Sequence, residues 1–106
     1  MKVSEAQVLV DNYIKSFKEG YFPPYTNLVR LMEEVGELSK EFNNNFGPLK
    51  KIDKLSSARL KDELGDVFFA ICVLANQLDV ELEDALGDSL RKYQTRDSNR
   101  WTPKID

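Results

Sequence analysis

Glu34-Val35-Gly36-Glu37 and Glu63-Leu64-Gly65-Asp66 repeat one pattern of acid, aliphatic, glycine and acid, and Glu33 stands just before the first. On a helix, residues three or four apart share a face. At the helical step, Glu34 and Glu37 lie about 60° apart, Glu33 and Glu37 about 40°, and Glu63 and Asp66 about 60°. Like charges at that spacing repel, and an interior glycine costs a helix roughly 0.5–1 kcal/mol relative to alanine. A hard divalent cation offsets such penalties, because it prefers oxygen ligands and neutralises crowded negative charge. If the two helices pack antiparallel, four carboxylates converge on one small volume. The intervening glycines would then let a helix backbone or a ligand approach closely. Such a set suits Mg²⁺ or Mn²⁺, with positions left for waters and phosphate oxygens. The competing reading is a pair of solvated acidic faces. It accounts for a lone E-x-x-E, but poorly for two glycine-bearing words that each adjoin an apolar stripe.

Composition narrows the chemistry further. The chain has no histidine, which removes His-dependent triads, His-ligated zinc and the Glu-x-x-His di-iron pattern. No Asp-rich loop of the EF-hand type is present, which disfavours calcium. The single Cys72 has no partner for an internal disulfide and lies in the apolar run Val67 to Ala75, where a packed core thiol is expected. That run is too short for a bilayer, which needs about 20 apolar residues in a helix. The first residues lack the apolar stretch of a signal peptide, so a cytoplasmic location is expected. At 106 residues the chain is expected to be one domain. A net charge of −3 provides no basic field for a nucleic-acid polymer.

The elements that must position the acids are helical. Ser4 and Gln7 form a capping box for a first helix, with Ala6, Val10, Ile14 and Phe17 on its apolar side and Gly20 as its stop. After the connector Tyr21-Phe22-Pro23-Pro24-Tyr25, a second helix is expected from an N-cap at Thr26 to about Asn43. Its apolar stripe is Leu28, Leu31, Met32, Val35, Leu38 and Phe42; its acidic stripe is Glu33, Glu34, Glu37 and Glu41. Asn43 to Pro48 breaks it, and Leu49 to Leu55 reads as a basic loop with Lys50, Lys51 and Lys54. A third helix, capped by Ser56 or Ser57, reaches about Leu78. A fourth runs from about Val80 to Tyr93, followed by a polar tail from about Gln94. Between Val67 and Ala75 the third helix is apolar on every side. Three companions in so short a chain would not surround it, so part of its surface is expected to face a second subunit. The expected fold is an all-α four-helix bundle completed by oligomerisation.

Glu33-Glu34-Val35-Gly36-Glu37, residues 38–62 and then Glu63-Leu64-Gly65-Asp66 resemble the E-E-x-x-E…E-x-x-D signature of the MazG family. The resemblance extends through Glu19-Gly20-Tyr21-Phe22 and through Arg96-Asp97-Ser98-Asn99-Arg100-Trp101, and it is closest to the short, single-domain bacterial branch. It implies an all-α nucleotide pyrophosphohydrolase that cleaves a ribo- or deoxyribonucleoside triphosphate between the α and β phosphates. The products would be a monophosphate and pyrophosphate, the cofactor Mg²⁺ with Mn²⁺ as a substitute, and the role house-cleaning of nucleotide pools. Carried over residue by residue, the metal ligands are Glu34, Glu37, Glu63 and Asp66, and Glu33 takes an outer, water-orienting place. A homodimer or dimer of dimers is expected.

The residues support that chemistry on their own terms. Phosphoanhydride hydrolysis requires neutralised phosphate oxygens and an activated water, and a carboxylate-held metal supplies both without a histidine base. Lys92, Arg96 and Arg100 recur every fourth residue and would line one face for substrate phosphate if the fourth helix continues. The plain alternative for them is a basic stripe favoured by the helix dipole. Arg30 is expected to pair with Glu34 or Glu33. Tyr21, Phe22 and Trp101 are the candidates for stacking on a base, against the plainer reading of packing. A non-catalytic nucleotide-sensing or protein-binding helical module is the alternative function, and a purely structural oligomer is a third.

Overall fold

The computed structural model describes residues 1–46 and 57–105. They form four helices: α1, Val3–Lys15; α2, Pro24–Phe46; α3, Ser57–Gln77; and α4, Leu82–Arg96. No strand occurs among the described residues. The expected basic loop at residues 49–55 and the cap at Ser56 lie outside them.

Helix ends depart from the sequence reading for local reasons. The Glu5 carboxylate accepts a hydrogen bond from the Lys2 N–H at 3.3 Å, so α1 starts before Ser4. Ser4 instead donates its N–H to Glu83 Oε1 at 3.2 Å. Gly20 sits at φ +60°, a left-handed conformation that glycine adopts at no steric cost, and turns the chain into the aromatic connector. Helix α2 begins at Pro24, two residues before Thr26, because proline needs no N–H partner in the first turn. It also runs through the asparagines to Phe46, where the Phe42 and Phe46 rings meet at 4.9 Å one turn apart. Helix α4 reaches Arg96, past the expected end at Tyr93.

Cross-helix contacts set the topology. Asn27 donates to Gln77 Oε1 at 2.8 Å, while Arg59 and Glu41 pair at 3.9 Å near the other end of the same interface. Position rises along α2 as it falls along α3, so the two run antiparallel. Gln7 bonds Asn76 at 3.1 Å and Tyr13 meets Phe69 edge-on at 6.1 Å, so α1 is antiparallel to α3 as well. Helix α4 packs against α1.

Among the described residues, the buried apolar ones, Ala70, Cys72, Val73 and Ala75, all belong to α3. Cys72 is fully buried, and burial pushes its thiol pKa up, as a packed core thiol requires. The rest of the run is less covered: Phe68 is 44% exposed and Phe69 39%. The radius of gyration is 17.5 Å, against about 13 Å for a compact chain near this length. Among the described residues, no helix is long and apolar enough to cross a membrane.

Candidate metal centre

The antiparallel pairing of α2 and α3 brings the two acidic words together. One carboxylate oxygen from each of Glu34, Glu63 and Asp66 lies within 4.8 Å of the other two. Glu63 and Glu34 are half-buried and Asp66 is exposed, so the group opens to solvent on one side. Glu63 Oε2 is buried and accepts no hydrogen bond from any described residue. Its desolvation raises the Glu63 pKa, and the charges of Asp66, Glu37, Glu34 and Glu41 raise it further. A buried carboxylate oxygen without a donor is unfavourable unless a cation compensates it. The donor set is oxygen throughout, which fits a hard divalent ion.

Among the described residues, two cations pair with acids of the cluster. Arg30 Nη2 lies 3.3 Å from Glu34 Oε1, one turn away on α2, as the sequence led one to expect. Arg59 on α3 pairs with Glu41, whose side chain is only 10% exposed. Glu41 is a member of the charge cluster that sequence reasoning placed only in the acidic stripe. A signal was present: seven residues after Glu34, it returns to the same helix face.

Other expected members are placed differently. Glu37 is exposed; its charge acts on Glu63, but it stands outside the close trio. Glu33 is exposed on α2. Neither Gly36 nor Gly65 has a close neighbour among the described residues: a Cβ built on either meets nothing within 4 Å. Each glycine lies about 160° around its helix from the first acid of its word, so it points away from the α2–α3 seam. Lys92, Arg96 and Arg100 gather at the far end of α4. Lys92 and Arg96 flank the Tyr93 ring at 5.1 and 5.8 Å, and Arg96 and Arg100 reach Asp97 at 3.5 and 3.7 Å.

A cavity of about 520 Å³ adjoins the acids, with Glu34 and Asp66 in its wall. Tyr13, Phe22 and Phe69 supply aromatic surface there, and Asn27 and Arg30 supply polar groups. Of the three aromatics expected to stack, Phe22 lines this cavity. The Tyr21 hydroxyl instead donates to Asp11 at 2.5 Å and accepts from Asn76 at 3.2 Å, and Trp101 is 76% exposed in the tail. Tyr13 and Phe69 were missed because each sits within a helical apolar pattern, which does not distinguish a cavity wall from a core.

Comparisons with known proteins identify the family and the fold. Residues 22–101 match the model of the MazG nucleotide pyrophosphohydrolase domain. The Bacillus subtilis (strain 168) protein YpjD, itself uncharacterised, is 43% identical over 102 residues, covering 96% of this chain and 92% of that protein. The crystal structure of B. subtilis YPJD, described as a candidate pyrophosphatase, superposes with a TM-score of 0.84 at 40% identity, covering 90% of this chain and 97% of that one. The crystal structure of the Bacillus-conserved MazG protein, described as a nucleotide pyrophosphohydrolase, gives a TM-score of 0.79 at 38% identity, covering 93% and 96%. On its matched domain, its relatives and its fold, the chain belongs to the MazG family and is a nucleotide pyrophosphohydrolase.

Proposed function

We propose that the chain hydrolyses a nucleoside or deoxynucleoside triphosphate between the α and β phosphates, with Mg²⁺ as the physiological ion and Mn²⁺ as a substitute. The observation that carries this reading is the close trio of Glu34, Glu63 and Asp66, with one carboxylate oxygen of each within 4.8 Å of the others, in which Glu63 Oε2 is buried and accepts no hydrogen bond from any described residue. Glu34, Glu63 and Asp66 would hold the ion, and Glu37, already in the electrostatic field of Glu63, would complete the set. When bound, the ion neutralises phosphate oxygens and lowers the pKa of a water. The chain's own residues do the rest. Glu33, exposed beside Glu34 in sequence, orients the attacking water and accepts its proton as the bridging oxygen between the two phosphates leaves. The aromatic walls of the adjoining cavity seat the nucleoside, with Phe22 the sequence-predicted contributor. Removal of surplus or noncanonical nucleotides in the cytoplasm is the role this chemistry serves.

The reading includes self-association. Large apolar side chains lie open along α2 and α3, among them Met32 at 67% exposure, Leu64 at 58% and Phe42 at 55%. Patches of that extent on a soluble chain mark an interaction surface. A second copy would also give Lys92, Arg96 and Arg100 a route to substrate phosphate, by presenting α4 to a neighbour's carboxylates. Light scattering coupled to size-exclusion chromatography should report a dimer or dimer of dimers at micromolar concentration; a stable monomer would sink this part.

The decisive experiment is a nucleotide panel with Mg²⁺ and with Mn²⁺, reading pyrophosphate and orthophosphate separately. Pyrophosphate with stoichiometric monophosphate is expected. Orthophosphate as the first product would reject α–β cleavage, and full turnover after chelation would reject the metal.

A further inference from the structure

Arg30 stands where the aromatic cavity meets the carboxylates. Its guanidinium lies 3.3 Å from Glu34 Oε1, and the same cavity wall carries Phe22, Phe69, Glu34 and Asp66. The Arg30 side chain is 60% exposed while Glu34 is 18% exposed, so the acid is held and the cation is free to swing. Among the described residues lining the cavity, Arg30 is the one cation.

We infer that Arg30 exchanges partners during the reaction cycle, releasing Glu34, which would hold the divalent ion, and clamping the α-phosphate of the nucleotide. This rests on the functional reading above. The pair is open to solvent at its Arg30 end, and an ion pair screened by water contributes little, so giving it up costs little. Guanidinium presents a rigid fork of donors that matches phosphate oxygens. Position selects the phosphate: with the nucleoside against the aromatic walls and the leaving pyrophosphate over the acids, the α-phosphate lies at the boundary where Arg30 stands. Arg30 is thereby a contact to the monophosphate product as well as to the substrate.

Isothermal calorimetry on Arg30→Gln and Arg30→Lys, with Arg59→Gln as control, tests this. The probes are a panel of nucleoside monophosphates in the presence of Mg²⁺, inorganic pyrophosphate with Mg²⁺, and Mn²⁺ alone. Monophosphate affinity is expected to fall about 10- to 100-fold in Arg30→Gln and less in Arg30→Lys, the range for losing hydrogen bonds to a charged group. Pyrophosphate affinity is expected to hold, and Mn²⁺ affinity to hold or rise because a competing cation is gone. Weaker Mn²⁺ binding with unchanged monophosphate binding overturns the inference, since Arg30 would then only brace Glu34. An equal loss in Arg59→Gln overturns it too, since the effect would be one of general charge. If wild-type protein hydrolyses nucleotide but Arg30→Gln keeps its monophosphate affinity, this assignment alone fails. Wild-type protein that neither hydrolyses a triphosphate nor binds a monophosphate overturns the functional reading and this assignment together.

Discussion

Two polar clusters flank α3, and they are built on opposite rules. Toward its C-terminal end, Gln7 donates to Asn76 and to the Val80 carbonyl and accepts from the Leu82 N–H at 2.9 Å, while Tyr21 bridges Asn76 and Asp11. Asn27, buried, gives its amide to Gln77 and to the Phe22 carbonyl. These donors meet acceptors, and the groups lock α1, the connector and the α3–α4 turn together. Toward the N-terminal end, acids face acids, and a buried Glu63 oxygen has no donor among the described residues. A satisfied network buys a unique geometry; an unsatisfied one is held in place by the surrounding fold and keeps its capacity for a ligand.

Mutations should separate the two. Glu63→Gln or Asp66→Asn is expected to lower pyrophosphate release on the order of 10²–10³-fold, the loss typical of removing a group that stabilises transition-state charge. Circular dichroism should show unchanged helicity. Metal-free thermal stability should rise in Glu63→Gln, because a repelled carboxylate is gone, and the rise in melting temperature on adding Mn²⁺ should shrink. If melting shows the opposite pattern, the contrast between the clusters is broken.

Gln7→Ala removes three hydrogen bonds at the opposite cluster and should cost about 1–3 kcal/mol in denaturant unfolding with kcat retained. Tyr21→Phe is gentler, at about 0.5–1.5 kcal/mol, because it removes only the hydroxyl and its bonds. Half-buried contact with Asp11 also matters for titration: desolvation, and then the carboxylate, push the Tyr21 hydroxyl up to about 12. The wild-type ultraviolet titration should accordingly lose one high-pH phenolic transition in Tyr21→Phe.

Acid–base behaviour gives the finest contrast, because the two clusters pull stability in opposite directions. The Tyr21 hydroxyl and then Lys15 lower the Asp11 pKa, so its contribution is present above the ordinary value of 3.8 and lost as pH falls through the lowered one. Glu63 is raised, so the folded chain holds a proton there that the unfolded chain has released. Its contribution is present below the ordinary value of 4.5 and lost as pH rises through the raised one. Melting temperature measured across about pH 3 to 7 without metal should flatten on the rising-pH side in Glu63→Gln and on the falling-pH side in Asp11→Asn. Identical profiles for the two variants would erase the distinction.

Much of this was legible in one dimension. The two acidic words, their helical setting, the core role of Cys72 and the Arg30–Glu34 pair follow from spacing, because a helix converts spacing into angle with little freedom. Helix ends were less legible. Pro24 starting α2 and the Phe42–Phe46 contact extending it are decided by capping and ring packing, which compete on the scale of single hydrogen bonds. The glycines were only partly legible, since periodicity showed that they break helical economy but not that no other described residue lies against them once α2 and α3 dock.

What the sequence by itself determined is the chemistry available: paired oxygens without nitrogen or thiolate ligands, mounted on helices, with an apolar third helix too rich to stand alone. The tertiary structure decided the membership. Docking α2 against α3 selected Glu34, Glu63 and Asp66 as the close trio, drew Glu41 into their field and left Glu37 at the edge. It also set Tyr13 and Phe69 beside the acids, in a cavity that Lys92, Arg96 and Arg100 do not line. The reason is that spacing fixes angles within one helix, whereas the distance between two helices depends on which apolar faces meet.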